Sequence, residues 1–361
     1  MSGGNIRGTP GRRNSGEQPE EHRGGAPGNI RRSTGGIPRG TPGEHPGGGT
    51  PGAPGGNTVS ARGQELVERL ASEVLVLDGA MGTMLFEAGL VDGACPELWN
   101  ETRPEVVAGI HRAYLAAGAD VIETNTFGAT RLKLAPYGLE GRARDLNYLG
   151  AKLARAACPP GAYVAGSMGP TGHLPDTLAA MGDVSLEEMR ANFAEQAIAL
   201  AEGGVDLLAV ETMMVPDEAV VAIQAAKEAT GLPVMATMFF QYNAARQLDR
   251  TLWGTTPAEA ARLLTAAGAD IVGCNCGEGG PARAAVIIAQ MRAATDRPLV
   301  AYPNAGMPKI VDDRTVYDLA PAAMAAGYPA IVAAGARLVG ACCGSTPEHI
   351  RRIAQLVRPD R

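Results

Sequence analysis

The sequence predicts an α/β fold, a closed (β/α)8 TIM barrel, preceded by a disordered Gly/Pro/Arg-rich N-terminal tail. Two observations predict the barrel. From about residue 60, short runs of Val, Leu and Ile alternate with Ala-rich amphipathic stretches, and this unit recurs eight times. Such alternation indicates a parallel sheet covered by helices, and eight units indicate that the sheet closes. An open doubly wound sheet is the alternative, although it usually has fewer units.

Residues 1–57 differ from the rest of the chain. Gly-Thr-Pro-Gly recurs at Gly8, Gly40 and Gly49, and large apolar residues are almost absent. A segment of this composition cannot bury enough surface to offset its chain entropy, so we predict a disordered low-complexity tail. A spacer or an over-extended N-terminus explains it better than a weak anion-binding role. Residues 58–361 are predicted to form the barrel domain.

The eight predicted units follow one another without interruption. The predicted strands are 74–77, 121–124, 163–166, 207–210, 234–237, 271–273, 299–302 and 338–340. The predicted helices are 104–117, 141–157, 185–202, 217–229, 257–267, 281–294, 318–334 and 347–357. Each strand is therefore followed by a helix, as a parallel barrel requires.

Composition narrows the classes of function. The formal net charge of -6 argues against nucleic acid as a partner. No run of 18 apolar residues occurs, so we expect no membrane span, and the N-terminus lacks the apolar core of a secretory signal. Six cysteines are too few for a disulfide scaffold, and their CxC and CC spacing suits a metal better. We therefore expect a cytoplasmic protein.

Polar residues gather after the predicted strands. In a (β/α)8 barrel, catalytic groups lie at the carboxyl ends of the strands. The polar residues at those positions are Asp78, Asn125, Thr126, Ser167, Glu211, Thr237, Cys276, Asn304, Cys342 and Cys343. The opposite strand ends carry only ordinary residues, which supports the barrel and points to one functional face.

Cysteines end two of these strands. Cys342 and Cys343 lie between the last strand and a helix start, and Cys274 and Cys276 close an earlier strand. Three thiolates with one open position form a catalytic zinc arrangement. Residues two apart on a strand point the same way, so Cys274 would lie one layer lower in the barrel. We therefore favour Cys276 as the third ligand, while Cys274 stays an open alternative.

This ligand set favours one kind of chemistry. A free thiol has a pKa of about 8.5 and is mostly unreactive near neutral pH, whereas zinc removes its proton. Three anionic sulfur ligands leave a fourth sulfur nucleophilic. Water-activating zinc more typically has His ligands, and neither segment contains one. The pattern therefore favours alkylation of a thiol substrate over hydrolysis.

Other strand ends suit an amino-acid substrate. Asp78, Glu123 and Glu211 are acidic groups that could hold an ammonium. The Gly-rich stretch 166–172 exposes backbone amides that could hold a carboxylate, and no Lys follows it as in a phosphate loop. Each loop is weak evidence alone.

Six motifs together are more specific. They are Asp-Gly-Ala-Met-Gly-Thr (78–83), Glu-Thr-Asn-Thr-Phe (123–127), Gly-Ser-Met-Gly-Pro-Thr-Gly (166–172), Asn-Cys-Gly (275–277), Pro-Asn-Ala-Gly-Met-Pro (303–308) and Cys-Cys-Gly-Ser-Thr-Pro-Glu-His-Ile (342–350). In this order, over residues 66–357, the chain resembles homocysteine S-methyltransferases, and most closely the homocysteine-binding module of cobalamin-dependent methionine synthase. It departs from the family pattern at Ala341, usually Gly, and at Cys274, usually apolar or small.

The resemblance implies a zinc-dependent enzyme that methylates L-homocysteine to methionine. It implies zinc on Cys276, Cys342 and Cys343, which act in catalysis through the metal. It also implies homocysteine contacts from Asp78, Thr126, Glu211 and nearby loops, in which we include Gly79, Asn125 and Ser167.

The methyl donor is open. The sequence ends at Arg361, after the last predicted helix. We therefore expect a methylated corrinoid (methylcobalamin) on a partner protein, acting in trans. S-methylmethionine or S-adenosylmethionine is the alternative donor. Betaine fits least, because related betaine enzymes carry a C-terminal extension and a quaternary ammonium favours an aromatic cage. A different class, a non-catalytic protein with a structural zinc site made of four cysteines, also stays open.

Overall fold

Parallel strands form the centre of the molecule. The computed structural model describes residues 58–311 and 314–359, so the predicted tail over 1–57 lies outside the described residues. The strands are β1 (Leu75–Val76), β2 (Val121–Glu123), β3 (Tyr163–Met168), β4 (Leu207–Met213), β5 (Val234–Met238), β6 (Gln241–Asn243), β7 (Leu248–Arg250), β8 (Ile271–Cys276), β9 (Leu299–Pro303), β10 (Lys309–Val311), β11 (Arg314–Val316) and β12 (Ala336–Val339).

Eight of these strands make one parallel sheet in the order β1-β12-β9-β8-β5-β4-β3-β2. The two outer strands approach each other, because a parallel bridge joins Leu77 to Val121 and Asp78 N donates to Val121 O at 3.0 Å. The sheet is thus a nearly closed barrel, which confirms the predicted (β/α)8 fold. The other four strands form two antiparallel hairpins, β6–β7 and β10–β11, which were not predicted.

Helices cover the outside of the barrel. The helices are α1 (Thr58–Arg69), α2 (Met81–Glu87), α3 (Trp99–Thr102), α4 (Pro104–Ala116), α5 (Arg131–Leu134), α6 (Ala143–Ala157), α7 (Leu186–Gly203), α8 (Pro216–Thr230), α9 (Pro257–Ala267), α10 (Gly280–Arg292), α11 (Pro321–Ala325), α12 (Tyr328–Ala333) and α13 (Pro347–Val357). Within this described part of the chain, no helix has the length and hydropathy that a membrane crossing requires.

The helix predicted over 318–334 is instead two short helices, α11 and α12. Pro329 lies in the first turn of α12, where its missing N–H costs nothing, whereas inside one continuous helix it would remove a hydrogen bond. Gly327 separates the two helices at a close approach, because a Cβ there would lie 2.6 Å from Cβ of Pro281. The prediction of a single helix was therefore wrong at this point.

Helix α1 covers the end of the barrel at which the strands begin, and it was not predicted. Leu66 and Leu70 are buried with inward-facing strand residues such as Leu75 and Val121. Gly63 permits this contact, because a Cβ there would lie 2.1 Å from the backbone oxygen of Asp206. An apolar layer thus closes the floor of the barrel. This end also carries ion pairs, such as Arg62 with Asp206 and Lys227 with Asp270, so the prediction that these strand ends carry only ordinary residues was wrong.

Candidate active site

Three thiols meet at the carboxyl ends of the strands. Sγ of Cys276 lies 2.7 Å from Sγ of Cys342, and Sγ of Cys342 lies 3.9 Å from Sγ of Cys343. All three sulfur atoms lie within 4.8 Å of one another, and no other three His, Cys, Asp or Glu side chains among the described residues lie close enough to share a metal ion. The two segments predicted to share a metal therefore do converge.

The backbone at Cys276 explains how it reaches the cluster. Cys274 is buried on the outer side of β8, in a narrow space lined by Ala284 and Ile287 of α10. By strict alternation Cys276 would point the same way. Its φ of 52° is left-handed, which breaks the alternation and turns its thiol to the barrel mouth. Cys274 is thus not a layer below Cys276 inside the barrel, and that interpretation was wrong.

The adjacent pair is held by the neighbouring strand end. Cys342 N donates to Pro303 O at 2.9 Å, and Cys343 O accepts from Ala305 N at 2.9 Å. A Cβ at Gly344 would lie 2.2 Å from Cγ of Tyr317, so the Tyr317 ring packs directly on the backbone after the pair. Burial and the nearby Cys343 sulfur raise the pKa of Tyr317, which keeps this phenol protonated.

The three thiols share little negative charge when no cation is present. Hydrogen bonds from Cys276 and Cys342 lower the pKa of Cys343 to about 3. The pKa of Cys342 is raised, first by its hydrogen bonds to Cys276 and Cys343 and then by burial. One thiolate therefore forms readily, and a divalent cation would favour ionisation of all three.

The donor set fits zinc. Zn–S bonds of about 2.3 Å in a tetrahedral site place sulfur atoms about 3.8 Å apart. The separation of Cys342 from Cys343, 3.9 Å, already matches that spacing. The shorter separation between Cys276 and Cys342 would have to widen by about 1 Å, and Gly277 with its left-handed φ of 73° follows Cys276 on the loop that would move.

Three carboxylates surround the same end of the barrel. Oδ2 of Asp78 accepts from Glu123 N at 3.0 Å, whereas Oδ1 of Asp78 and Oε1 of Glu123 are buried without a hydrogen-bond partner in the described structure. Burial raises the pKa of both carboxyls well above the usual range, and the Glu211 charge adds to the effect. Burial also raises the pKa of Glu211 to about 7.

No cation offsets this acidic group. Among residues 58–311 and 314–359, no Lys or Arg forms an ion pair with Asp78, Glu123 or Glu211. Buried carboxylates without a counter-charge are costly, unless a positively charged ligand completes the site. The arrangement is therefore prepared for a small cationic group next to the thiols.

Glu211 has more hydrogen-bond partners than Asp78 or Glu123. Ser167 Oγ donates to its Oε1 at 2.5 Å, and Tyr302 OH donates to its Oε2 at 3.4 Å. Nδ2 of Asn275 lies 3.5 Å from the same Oε2. The carboxylate is thus oriented by groups from three other strands, β3, β8 and β9.

The remaining predicted residues lie close by but differ in what they contact. Gly79 fits beneath Tyr114, because a Cβ there would lie 2.8 Å from that ring. Asn125 uses Nδ2 to donate to Pro96 O at 2.9 Å and to Asn100 at 3.1 Å, so its amide holds a loop. Thr126 Oγ1 donates to Ser167 O at 2.7 Å. Their substrate contacts stay predictions.

Two other strand-end residues are also buried here. Thr237 Oγ1 donates to Oδ1 of Asn275 at 2.7 Å, and Asn304 has a buried Oδ1 with no hydrogen-bond partner in the described structure. Asn304 directly follows β9, whose last residue, Pro303, accepts the hydrogen bond from Cys342 N. Its free acceptor is thus a further polar group at the barrel mouth.

Sequence reasoning missed Asn275, Tyr302 and Tyr317. Asn275 stands between two cysteines with a stronger metal-binding pattern, although an Asn within a buried strand is itself a signal of a polar role. Tyr302 fits the apolar pattern of its strand, so the sequence gives no sign of its contact with Glu211. Tyr317 follows β11, one of the hairpins that were not predicted, so nothing in the sequence placed it beside Cys343.

The fold and the site together define a (β/α)8 barrel with a thiol-rich, acidic mouth. A family model described as homocysteine S-methyltransferase matches residues 75–357. The chain therefore belongs to the homocysteine S-methyltransferase family, and the prediction of an enzyme of this class is confirmed.

Relatives agree with that placement. Methionine synthases of Mycobacterium leprae and Mycobacterium tuberculosis are both 34% identical, over 81% and 82% of this chain. The chain spans only about a quarter of their length, 25% and 26%. The metallated form of the homocysteine methyltransferase MmuM from Escherichia coli matches with a TM-score of 0.65 and 26% identity, over 82% of this chain and 99% of that one. The oxidized form of MmuM matches with a TM-score of 0.60 and 29% identity, over 78% and 94%.

Proposed function

We propose that this protein transfers a methyl group to the thiol of L-homocysteine and forms methionine, with Zn²⁺ held by Cys276, Cys342 and Cys343. One observation carries the proposal: three thiols converge beside three buried carboxylates that have no cationic partner among the described residues. A thiolate-binding metal site and an ammonium-binding site in one barrel mouth suit a substrate that carries both groups.

The cysteines hold the metal and leave one position open. Zinc, when bound, supplies the charge that removes the proton from the substrate thiol and keeps the sulfur nucleophilic at neutral pH. The residues therefore need no separate general base for this proton. Their task is to keep the three sulfur atoms on one side, so that the substrate sulfur faces the open mouth.

The carboxylates orient the amino-acid end of homocysteine. Glu211 and Asp78 bind the ammonium: burial raises the pKa of both carboxyls, no other counter-ion pairs with them among the described residues, and a positively charged ligand would favour their ionised forms. The Gly-rich stretch 166–172 does not supply the free backbone amides that the sequence predicted for the substrate carboxylate, because the N–H groups of Ser167, Gly169 and Thr171 already donate to Thr124 Oγ1, Phe127 O and Glu218 Oε1. Gly79, Asn125, Thr126 and Ser167 line the same pocket. This arrangement fixes the substrate sulfur relative to the thiol cluster.

A methylated corrinoid on a separate protein is the donor that we propose. The 34% identity with methionine synthases over most of this chain supports it, and it agrees with the resemblance of the motifs to the cobalamin-dependent enzymes. S-methylmethionine or S-adenosylmethionine is the second candidate. The match to almost the whole of the homocysteine methyltransferase MmuM supports transfer to homocysteine for either donor.

A donor screen tests this choice. The zinc-loaded protein is mixed with homocysteine and, in separate reactions, with methylcobalamin, S-methylmethionine, S-adenosylmethionine or betaine, and methionine is quantified. We expect methionine with methylcobalamin. Formation only with S-methylmethionine or S-adenosylmethionine would reverse the order of the two candidates, and no methionine with any donor would contradict the proposed transfer.

The other class, a structural zinc site, predicts a different metal shell. X-ray absorption at the zinc edge is recorded with and without homocysteine. Gain of one sulfur neighbour supports the enzyme, whereas an unchanged shell of four sulfurs supports a structural site, with Cys274 as the fourth ligand. The free state of the described cysteines further supports a reducing, cytoplasmic setting, which we propose as well.

A further inference from the structure

Asn275 lies between the thiol cluster and the Glu211 carboxylate. Only 2% of it is exposed. Its Oδ1 accepts from Thr212 N at 2.9 Å and from Thr237 Oγ1 at 2.7 Å. Its Nδ2 lies 2.6 Å from Thr212 Oγ1 and 3.5 Å from Oε2 of Glu211. The same nitrogen lies 3.7 Å from Sγ of Cys276 and 3.9 Å from Sγ of Cys342.

Strand β4 carries one extra residue next to this amide. Its pairing with β5 runs to Val210 opposite Ala236 and resumes at Met213 opposite Met238. Three steps along β4 thus match two along β5, which makes a β-bulge at Glu211 and Thr212. A bulge of this kind redirects a side chain and leaves backbone groups without a ladder partner.

Thr212 adopts an unusual backbone conformation in the bulge. Its φ is 60°, a left-handed value that β-branched residues rarely take. Its N–H donates to Oδ1 of Asn275 at 2.9 Å and, at the longer distance of 3.3 Å, to Thr237 Oγ1, so Asn275 supplies the closer substitute for the missing ladder partner. The Asn275 side chain therefore stabilises the conformation that directs the neighbouring Glu211 carboxylate into the barrel.

The next residue on β8, Cys276, is also left-handed, with a φ of 52°. Asn275 thus connects two neighbouring strand ends that both depart from extended geometry. One of them directs Glu211, and the other directs a thiol of the cluster. We propose that Asn275 is a positioning residue that couples the ammonium site at Glu211 to the metal site at Cys276, mainly by holding Thr212 in its left-handed conformation.

The inference rests on the proposed function, and substitutions at Asn275 and Thr212 test it. In Asn275→Ala, Thr212 N–H loses its shorter hydrogen bond and keeps only the one to Thr237 Oγ1 at 3.3 Å, so the orientation of Glu211 is held less firmly. We expect the dissociation constant of homocysteine, measured by calorimetry at saturating zinc, to rise by roughly tenfold to a hundredfold. Loss of the amide beside two ligand sulfurs should lower zinc affinity by roughly tenfold, measured by competition with a chelator.

A second substitution separates the two effects. Glycine adopts a left-handed φ without strain, so in Thr212→Gly residue 212 should no longer need the hydrogen bond from its N–H to Asn275 to hold this conformation. In the double variant Asn275→Ala/Thr212→Gly, we expect homocysteine affinity to return to within about threefold of Thr212→Gly alone. Zinc affinity should stay low, because the contacts of Nδ2 with the sulfurs are still missing. Rescue of one affinity without the other is not expected from a general gain in stability.

Gln247→Gly is the matched control. Besides Thr212 and Cys276, Gln247 is the one non-glycine residue with a left-handed φ among the described residues. Its φ is 51°, and it is exposed, next to β7 and outside the site. Gln247→Gly should relieve strain equally but leave the homocysteine affinity of Asn275→Ala unrescued. Equal rescue by Gln247→Gly, or simple additivity of Asn275→Ala and Thr212→Gly, would overturn the inference.

Asn275→Asp serves if Asn275→Ala does not fold. It keeps an acceptor for Thr212 N–H but replaces the donor beside Glu211 and the sulfurs by a carboxyl oxygen, which repels Glu211 when it is ionised. We expect weaker homocysteine binding that Thr212→Gly does not rescue, and wild-type affinity would refute a role for the donor. The controls also separate failure of the proposed function from failure of this inference. If the unmodified protein binds neither zinc nor homocysteine, the proposed function is refuted. If the unmodified protein binds both but Thr212→Gly does not restore homocysteine affinity in Asn275→Ala, only the role of Asn275 is refuted.

Discussion

At the scale of single residues, the backbone conformation of one cysteine decides which thiols can share a metal. We predict that Cys276→Ala, Cys342→Ala and Cys343→Ala each lower bound zinc and abolish methyl transfer, because each removes one of three ligands. Cys274→Ala is the matched control, since its thiol faces α10. It should keep at least roughly a tenth of the activity, the loss being one of packing.

Zinc content by metal analysis, together with methionine formation, checks this. Loss of zinc in Cys274→Ala with retention in Cys276→Ala would show that the metal lies on the outer side of β8 and that the cluster is only a packing feature.

The buried carboxylates give a second residue-scale prediction. Glu211→Gln and Asp78→Asn should each weaken homocysteine binding by roughly tenfold to a hundredfold, the value of a charge-assisted hydrogen bond of about 1.5–3 kcal/mol. Zinc content should not change, because neither carboxylate belongs to the thiol cluster.

A thiol without an amino group is the decisive comparison. Binding of 3-mercaptopropionate should be weak and almost indifferent to both substitutions. Equal losses for homocysteine and for 3-mercaptopropionate would show that these carboxylates shape the pocket instead of binding an ammonium.

At the scale of elements, helix α1 depends on one close approach. The Cβ introduced by Gly63→Ala would meet the Asp206 backbone oxygen, so we expect the free energy of unfolding to fall by about 1–3 kcal/mol. Gly109→Ala, within α4, is the matched control because its new Cβ meets nothing within 4 Å. It should be neutral or stabilising by about 0.5–1 kcal/mol. Urea unfolding of both variants checks this, and equal effects would mean that α1 does not seal the barrel floor.

Helix α4 carries a buried histidine that makes the fold sensitive to acid. Burial, and secondarily Arg112, lower the pKa of His111 from 6.5 to about 4, and neither ring nitrogen has a hydrogen-bond partner in the described structure. Between those pH values the unfolded chain binds a proton that the folded chain does not. The free energy of unfolding should therefore have its full value above pH 6.5. It should decrease as the pH is lowered from 6.5 to about 4, by about 3 kcal/mol in all.

His111→Leu removes this proton uptake. Its unfolding free energy should fall less than that of the unmodified protein when urea unfolding is repeated between pH 7 and pH 4.5. Parallel curves for the two proteins would contradict the assignment of the acid sensitivity to His111.

The elements also show what the sequence could predict. The eight strands were found because parallel strands buried on both faces leave continuous apolar runs, and their polar ends marked the functional face. Cys276 does lie in the thiol cluster, and its role as a metal ligand stays a prediction; strand periodicity predicts the wrong direction for its side chain, because it cannot reveal a left-handed residue. Helix α1 and the hairpins were missed, since their roles depend on distant contacts such as the one between Gly63 and Asp206.

At the scale of the whole molecule, we propose that residues 58–361 fold without the predicted tail. Deletion of residues 1–57 removes almost no large apolar side chain. We expect the melting temperature to stay within about 2 °C and zinc content to be unchanged. Calorimetry and metal analysis check this. A larger loss would mean that the tail packs against the barrel, contrary to the entropy argument from its composition.

The ring of strands has one join. The strands β1 and β2 meet where Leu77 bridges Val121, and Asp78 spans the same join by accepting from Glu123 N. Few backbone hydrogen bonds hold this place, so it is where we expect the barrel to breathe, admitting deuterium at nearby amides before the rest of the sheet. A ligand that engages Asp78 on one side and Glu211 across the mouth would act as a clasp. Binding of substrate and pairing of β1 with β2 would then be thermodynamically coupled, so that bound substrate would stabilise the closed barrel.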